Sequence, residues 1–202
     1  MGGSGIEMAL GNYWNKEGAL KTITKWRKVK KAEPLLVISG SCSPVTKNQI
    51  EFALAQGFIE MPLEMDAFQS ETGQGFSIGS NLEEIVSALS QNQSVIIHTG
   101  NIREIEQSTS ARTLGNTLGY IAKKICQEIK LKRIVVAGGD TSSYAARAME
   151  IDAVEMIAPL VIGAPLCKAY SKNKNINGLE VNFKGGQVGG EDYFGVIMRG
   201  EL

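Results

Sequence analysis

The residues best suited to chemistry lie in Arg133-Ile-Val-Val-Ala-Gly-Gly-Asp-Thr-Ser-Ser-Tyr-Ala-Ala-Arg147. The segment reads as a short buried strand, two glycines, an acid, a run of hydroxyls and a small-residue helix. A strand that ends in Gly138-Gly139 and feeds a helix leaves free backbone N–H groups at the strand's carboxyl end. Those groups and the helix dipole attract an anion, most often a phosphate. Asp140 and Thr141 are natural N-cap residues for the helix that follows. The same pattern also serves as an ordinary tight turn, so the segment alone does not decide between ligand site and punctuation.

A second segment, Leu35-Leu-Val-Ile-Ser-Gly-Ser-Cys-Ser-Pro-Val-Thr46, repeats the arrangement. Ser43 fits an N-cap and Pro44 fits the first helical position, where a missing N–H does no harm. Thr46 stands where a capping box would need Glu or Gln, so the box is incomplete. Gly40 permits close backbone approach, and Ser39, Ser41 and Ser43 offer hydroxyls. A third segment, Phe183-Lys-Gly-Gly-Gln-Val-Gly-Gly190, places four glycines in six positions, enough for a loop that folds around a ligand. Lys184 could meet a phosphate there as a point charge. Turns of this kind gain meaning in pairs, because ligands of open sheets bind beyond the carboxyl ends of the strands, where such turns converge.

The elements that must position these turns alternate between apolar runs and helical patterns, the signature of a mostly parallel sheet with crossover helices. Strands are expected at 35–39, 58–63, 94–99, 133–137, 154–157 and 179–183. Helices are expected at 44–56, 82–91, 110–130 and 142–149. The third helix has the strongest pattern: Leu114, Leu118, Ile121, Ile125 and Ile129 recur at spacings of four, three, four and four. The first 33 residues differ from the rest. Residues 10–31 read as a helix or linker carrying Tyr13, Trp14, Leu20, Ile23 and Trp26. The basic cluster 25–31 reads as a solvated helix end, and Pro34 marks the entry to the core. The expected fold is α/β: a mostly parallel sheet between helices, three layers, single domain, with an N-terminal helical linker.

Composition narrows the function. The chain has 202 residues, with 21 basic and 21 acidic side chains that cancel. A neutral chain has no general attraction to nucleic acid or to a membrane surface, so neither partner is expected. No apolar run approaches the ~20 residues that span a bilayer, and the N-terminus lacks the charged and apolar regions of a signal peptide. Three cysteines, Cys42, Cys126 and Cys167, are odd in number and irregularly spaced. That argues against a disulfide framework and a zinc site and favours the cytoplasm. Cys126 is expected in the core. The single histidine, His98, excludes any site needing two and reads as structural. There is no P-loop motif, no G-x-G-x-x-G after a strand and no G-x-S-x-G elbow.

Taken in order, these segments resemble one family. Ser39-Gly-Ser-Cys-Ser-Pro-Val-Thr-Lys-Asn-Gln49 is similar to the opening of the C-terminal, nucleotide-binding domain of four-carbon acid sugar kinases. Gly138-Gly-Asp-Thr-Ser142 resembles the family's Gly-Gly-Asp/Glu-Thr-Ser turn. Ile162-Gly-Ala-Pro-Leu-Cys167 resembles its Gly-x-Pro-Leu segment. Lys184-Gly-Gly-Gln-Val-Gly189 and Glu191-Asp-Tyr-Phe194 resemble its closing motifs, with Gly185 where Ser or Pro often follows the lysine. The match runs over roughly residues 35–195.

The resemblance implies an ATP site. Ser39, Gly138, Gly139, Asp140, Thr141 and Gly186 are the nucleotide contacts it implies, with Lys184 and Gly189 less firmly implied. Asp140 would orient the turn or hold Mg²⁺ through water, and Thr141 would donate a hydroxyl or cap the helix. Phosphoryl transfer to a hydroxyl of a four-carbon acid sugar is the implied reaction, and no catalytic base is assigned to this chain. Family members place an acid-sugar-binding domain first, so residues 1–33 are expected to be the end of that domain and residues 34–202 the nucleotide-binding domain. Without the acceptor domain the chain is expected to be inactive alone. It would otherwise be a stand-alone nucleotide-binding module, or act as a homodimer or with a partner chain.

Overall fold

The computed structural model describes residues 4–21, 23, 25–26, 28–63, 79–99 and 110–201. The helices are α1 (Ser4–Lys16), α2 (Pro44–Ala55), α3 (Gly79–Ser90), α4 (Ala111–Glu128), α5 (Gly139–Ala148) and α6 (Tyr193–Arg199). The strands are β1 (Leu36–Ser39), β2 (Ile59–Pro62), β3 (Val95–His98), β4 (Arg133–Ala137), β5 (Ala153–Val161), β6 (Ala164–Tyr170) and β7 (Glu180–Lys184). They form one sheet in the order β2-β3-β1-β4-β7-β6-β5. The five strands from β2 to β7 run parallel, and β6 and β5 close the edge antiparallel.

Strand alternation divides the core into two layers. Leu36, Ile38, Val95, Ile97, Ile134 and Val136 point to one face, where α3, α4 and α5 cover them. Leu35, Val37, Ile96 and Val135 point to the other, against Ile50 and Ala53 of α2 and Phe194 and Ile197 of α6. A strand buried on both faces must be apolar throughout, which is why β1 and β4 read as continuous apolar runs. The α4 stripe behaves as its spacing requires: Leu118, Ile121 and Ile125 are buried. Each such side chain contributes about 1.5–3 kcal/mol. Gly119 and Gly115 let α5 approach α4, since a Cβ on Gly119 would lie 2.6 Å from Ala145 Cα. Cys126 is buried as expected, and burial pushes its thiol up to about 12.

Five expectations change. Helix α1 ends at Lys16, and the described residues of 17–35 contain no helix, so the described residues of the basic cluster 25–31 do not form a helix end. Gly2, Gly3 and Arg27 lie outside the described residues. Strand β5 runs from Ala153 to Val161 rather than over 154–157, and it pairs with β6, which has no counterpart among the sequence expectations. Helix α6 is likewise new: seven residues are too few for a periodicity to register. Finally, α5 begins at Gly139, not at residue 142.

Candidate functional site

The chain leaves β1 toward α2 on one face and leaves the adjacent β4 toward α5 on the opposite face. Helices that diverge in this way open a crevice at the carboxyl ends of the two strands. The three glycine-bearing turns lie there, because β1, β4 and β7 are consecutive in the sheet. Ser39 pairs with Ala137, and Ala137 pairs with Lys184. Two hydrogen bonds join the turns: Gly40 N–H donates to Ala137 O at 3.0 Å, and Gly138 N–H donates to Lys184 O at 2.8 Å.

The β4 turn depends on backbone freedom. Gly138 is the N-cap of α5 at φ 122°, a value that disfavours other residues, and no side chain caps the helix. Asp140 and Thr141 are therefore first-turn residues, not the N-cap expected from sequence. The first helical bond is Ser142 N–H to Gly138 O at 2.9 Å. The N–H groups of Gly139, Asp140 and Thr141 precede it and have no acceptor among the described residues. Gly139 and Asp140 are exposed. A Cβ on Gly139 would meet nothing within 4 Å, so the space above this turn is open. Thr141 is buried, and its Oγ1 would lie 2.6 Å from a Cβ on Gly40 and 2.7 Å from one on Gly138. Its hydroxyl is thus wedged between the first two turns.

The β1 turn is built from hydroxyls. Ser39 is buried and accepts the Ser41 N–H at 3.4 Å. Ser43 is the N-cap of α2 and accepts the Val45 N–H at 3.2 Å, as the Ser-Pro pair predicts. Ser41 Oγ donates to Thr46 Oγ1 at 3.0 Å and accepts the Ser43 N–H at 3.3 Å. Gly186 packs on this turn, with a Cβ there 3.0 Å from Ser41 Oγ and 3.1 Å from Ser43 Cβ.

Two residues without an expected role bind the third loop. Thr46 Oγ1 donates to Gly186 O at 2.9 Å. Gln49 Nε2 faces the carbonyls of Val188, Gly189 and Gly190 at 3.0, 3.1 and 2.9 Å. Thr46, Gln49, Ile50 and Ala53 form the buried face of α2. Two polar side chains at the start of a helix's buried stripe were the available signal. Lys184 also belongs to this wall: it is fully buried and bonds Thr46 Oγ1 at 2.8 Å. Burial lowers its ammonium to about 8. Beneath it, Tyr193 donates to Asn182 Oδ1 at 2.7 Å, and Asn182 donates to the carbonyls of Ala164 and Pro165. The Ala164–Pro165 segment thus supports the crevice from below.

Beside the β1 turn lies a cavity of about 150 Å³ lined by Ser41, Ile50, Leu54, Glu60, His98 and Thr99. His98 Nε2 bonds Glu60 Oε1 at 2.8 Å. A larger depression of about 670 Å³ opens at the amino ends of β4 and β7. It has none of the glycine turns, and the open N–H groups are at the other end of the strands. Among the described residues no three His, Cys, Asp or Glu side chains gather into a metal cluster, and no helix is long and apolar enough to cross a membrane.

The sequence of residues 36–194 matches the family described as the nucleotide-binding C-terminal domain. The chain belongs to the four-carbon acid sugar kinase family, as its C-terminal nucleotide-binding domain. It is 32% identical to a 3-oxo-isoapionate kinase of Paraburkholderia graminis, over 98% of this chain and 46% of that protein. It is 24% identical to a 3-oxo-tetronate kinase of Pseudomonas fluorescens, over 96% of this chain and 44% of that protein. A D-threonate kinase of Salmonella typhimurium is 26% identical over 78% of this chain and 40% of its own length. The chain spans less than half the length of these relatives. Its fold is that of a Salmonella typhimurium protein described as a putative tRNA synthase (TM-score 0.69, 22% identity, 100% of this chain, 47% of that one). It is also that of a Bordetella bronchiseptica domain of unknown function, crystallised with citrate as a domain-swapped dimer (TM-score 0.67, 17% identity, 85% and 41%).

Proposed function

We propose that residues 34–202 form the ATP-binding domain of a kinase that phosphorylates a hydroxyl of a four-carbon acid sugar. In this reading residues 1–33 belong to the end of a preceding acceptor-binding domain. The observation that carries the proposal is the open β4 turn, where three N–H groups of the first turn of α5 have no acceptor among the described residues and lie beside two other glycine turns. Such a turn binds phosphate by backbone donors and helix dipole together. Gly139 gives the phosphates room, and Thr141 and Ser39 fix the turns rather than reaching out of them. Gly186 closes the crevice from the β7 side.

Mg²⁺, when bound with the nucleotide, would neutralise charge on phosphate oxygens. Asp140, exposed in the first turn of α5, is the carboxylate that would hold it through water. The domain's own contribution is positioning and charge stabilisation, which account for most of phosphoryl-transfer catalysis. In this reading the acceptor site lies in the preceding domain, and residues 34–202 by themselves bind nucleotide without turnover, in the cytoplasm.

A second reading draws on α1. Ile6, Met8, Leu10, Tyr13 and Trp14 are all exposed there. Exposed apolar groups in one place favour a partner chain, or a second copy, that supplies the acceptor site.

Isothermal titration of the 202-residue chain with ATP, with and without Mg²⁺, beside GTP and a four-carbon sugar acid, tests the proposal. Mg²⁺-dependent ATP binding without sugar-acid binding is expected. A folded chain that binds no nucleotide, or that binds a different anion and ignores ATP, overturns it.

A further inference from the structure

Lys184 has no exposed surface and forms no ion pair with a carboxylate among the described residues. Its ammonium protons nonetheless have a full set of acceptors. They are Thr46 Oγ1 at 2.8 Å, Gly185 O at 3.0 Å and Gly186 O at 3.3 Å. The face of the Tyr193 ring lies 5.4 Å from Nζ. One cation therefore gathers the start of α2, the β7 loop and the start of α6. An ammonium has three donors, and all three are used inside the wall of the crevice. Burying such a charge without a counter-ion costs free energy. The core does not need this charge, since an apolar side chain would fill the space. What it supplies is the direction of the loop backbone.

We propose that Lys184 is a positioning residue. It locks the Gly185–Gly186 start of the loop onto Ser41, Ser43 and Thr46 before any ligand arrives, and it does not itself ligate phosphate. Thr46 is the relay: it accepts from Lys184 and from Ser41 and donates to Gly186 O. The lowered pKa agrees with this burial, and Tyr193 is the titratable group that faces it. The part of the proposal that concerns affinity rests on the nucleotide reading. The part that concerns the loop does not.

The test compares the full chain with Lys184→Met, Lys184→Arg and Thr46→Val. Two readouts are taken: amide hydrogen exchange of the ligand-free protein, and ATP affinity by titration. Lys184→Met and Thr46→Val should each speed exchange in residues 185–190 by about tenfold or more, the scale of one lost charged hydrogen bond, with α4 and β4 unchanged. ATP affinity should fall by a similar factor in both. Lys184→Arg should not restore it, because a larger planar group has no space in a fully buried site. Loop exchange at wild-type rates in Lys184→Met and Thr46→Val overturns the proposal, as does full ATP affinity in Lys184→Arg. Should Lys184→Met not fold, Thr46→Val decides. Should the wild type bind no ATP, the nucleotide reading fails, and the exchange measurement still decides the role of Lys184.

Discussion

Strands β4 and β7 lie side by side, and each end of the pair buries a cation that the protein treats differently. At the amino end Arg133 is fully buried and bonds the Glu180 carboxylate at 2.5–2.8 Å. It also donates to the carbonyls of Lys30, Ile197 and Met198. At the carboxyl end Lys184 is equally buried, but its partners are a hydroxyl, two carbonyls and the Tyr193 ring, with no carboxylate among the described residues. The difference shows how the fold divides its work. The amino end is a closed structural joint, where a planar guanidinium ties the C-terminal helix and the incoming segment to the sheet. The carboxyl end is a set of glycine turns with donors left open, and its cation shapes backbone instead of cancelling charge.

The largest expected effect sharpens the structural side. Arg133→Met strands Glu180 and three carbonyls, and it should lower stability by about 3–5 kcal/mol. Ligand affinity per folded molecule should stay at the wild-type value, as denaturant unfolding and titration would show together. Weaker binding in the folded variant would mean that the two ends are coupled.

The next effect is confined to the other end. Gly139→Val has open space for its side chain, so far-UV circular dichroism and melting should be near wild type. Nucleotide affinity should fall on the order of a hundredfold or more, through loss of charge-assisted hydrogen bonds from the turn. Undiminished binding would remove the β4 turn from the site.

The smallest effect is a pH dependence that follows from the burial of Lys184. The Lys184 pKa falls from 10.5 to about 8 on folding, through desolvation. Between those values the unfolded chain holds more protons than the folded one, so stability rises with pH. Its contribution is complete above 10.5 and is lost as the pH falls through 8. Unfolding measured from pH 7 to 11 should show this rise in the wild type and not in Lys184→Met. Identical profiles would mean that Lys184 does not titrate with the low pKa.

The same division governs what could be read from the chain. Strands β1, β3 and β4 were legible because burial on both faces forces unbroken runs such as Val95-Ile-Ile97 and Ile134-Val-Val136. The cap at Ser43 and the stripe on α4 were legible because both are local. Strand β6 was not, since Ala164-Pro-Leu-Cys-Lys-Ala-Tyr170 carries a proline and weak strand formers, and it is a strand because β5 and β7 flank it. The start of α5 was misplaced because Gly138, not a side chain, performs the capping.

By itself the sequence determined the layered α/β core, the three glycine turns and the family to which they belong, because periodicity, caps and backbone-permissive residues act over a few positions. Only the tertiary structure decided that the turns meet in one crevice, that Ser39 and Thr141 face inward, and that Lys184 is spent on its own walls. Those outcomes depend on strand order and on bonds such as Lys184 to Thr46, which joins residues 138 positions apart. No local pattern encodes a contact of that span: it forms only when the sheet brings the two segments together.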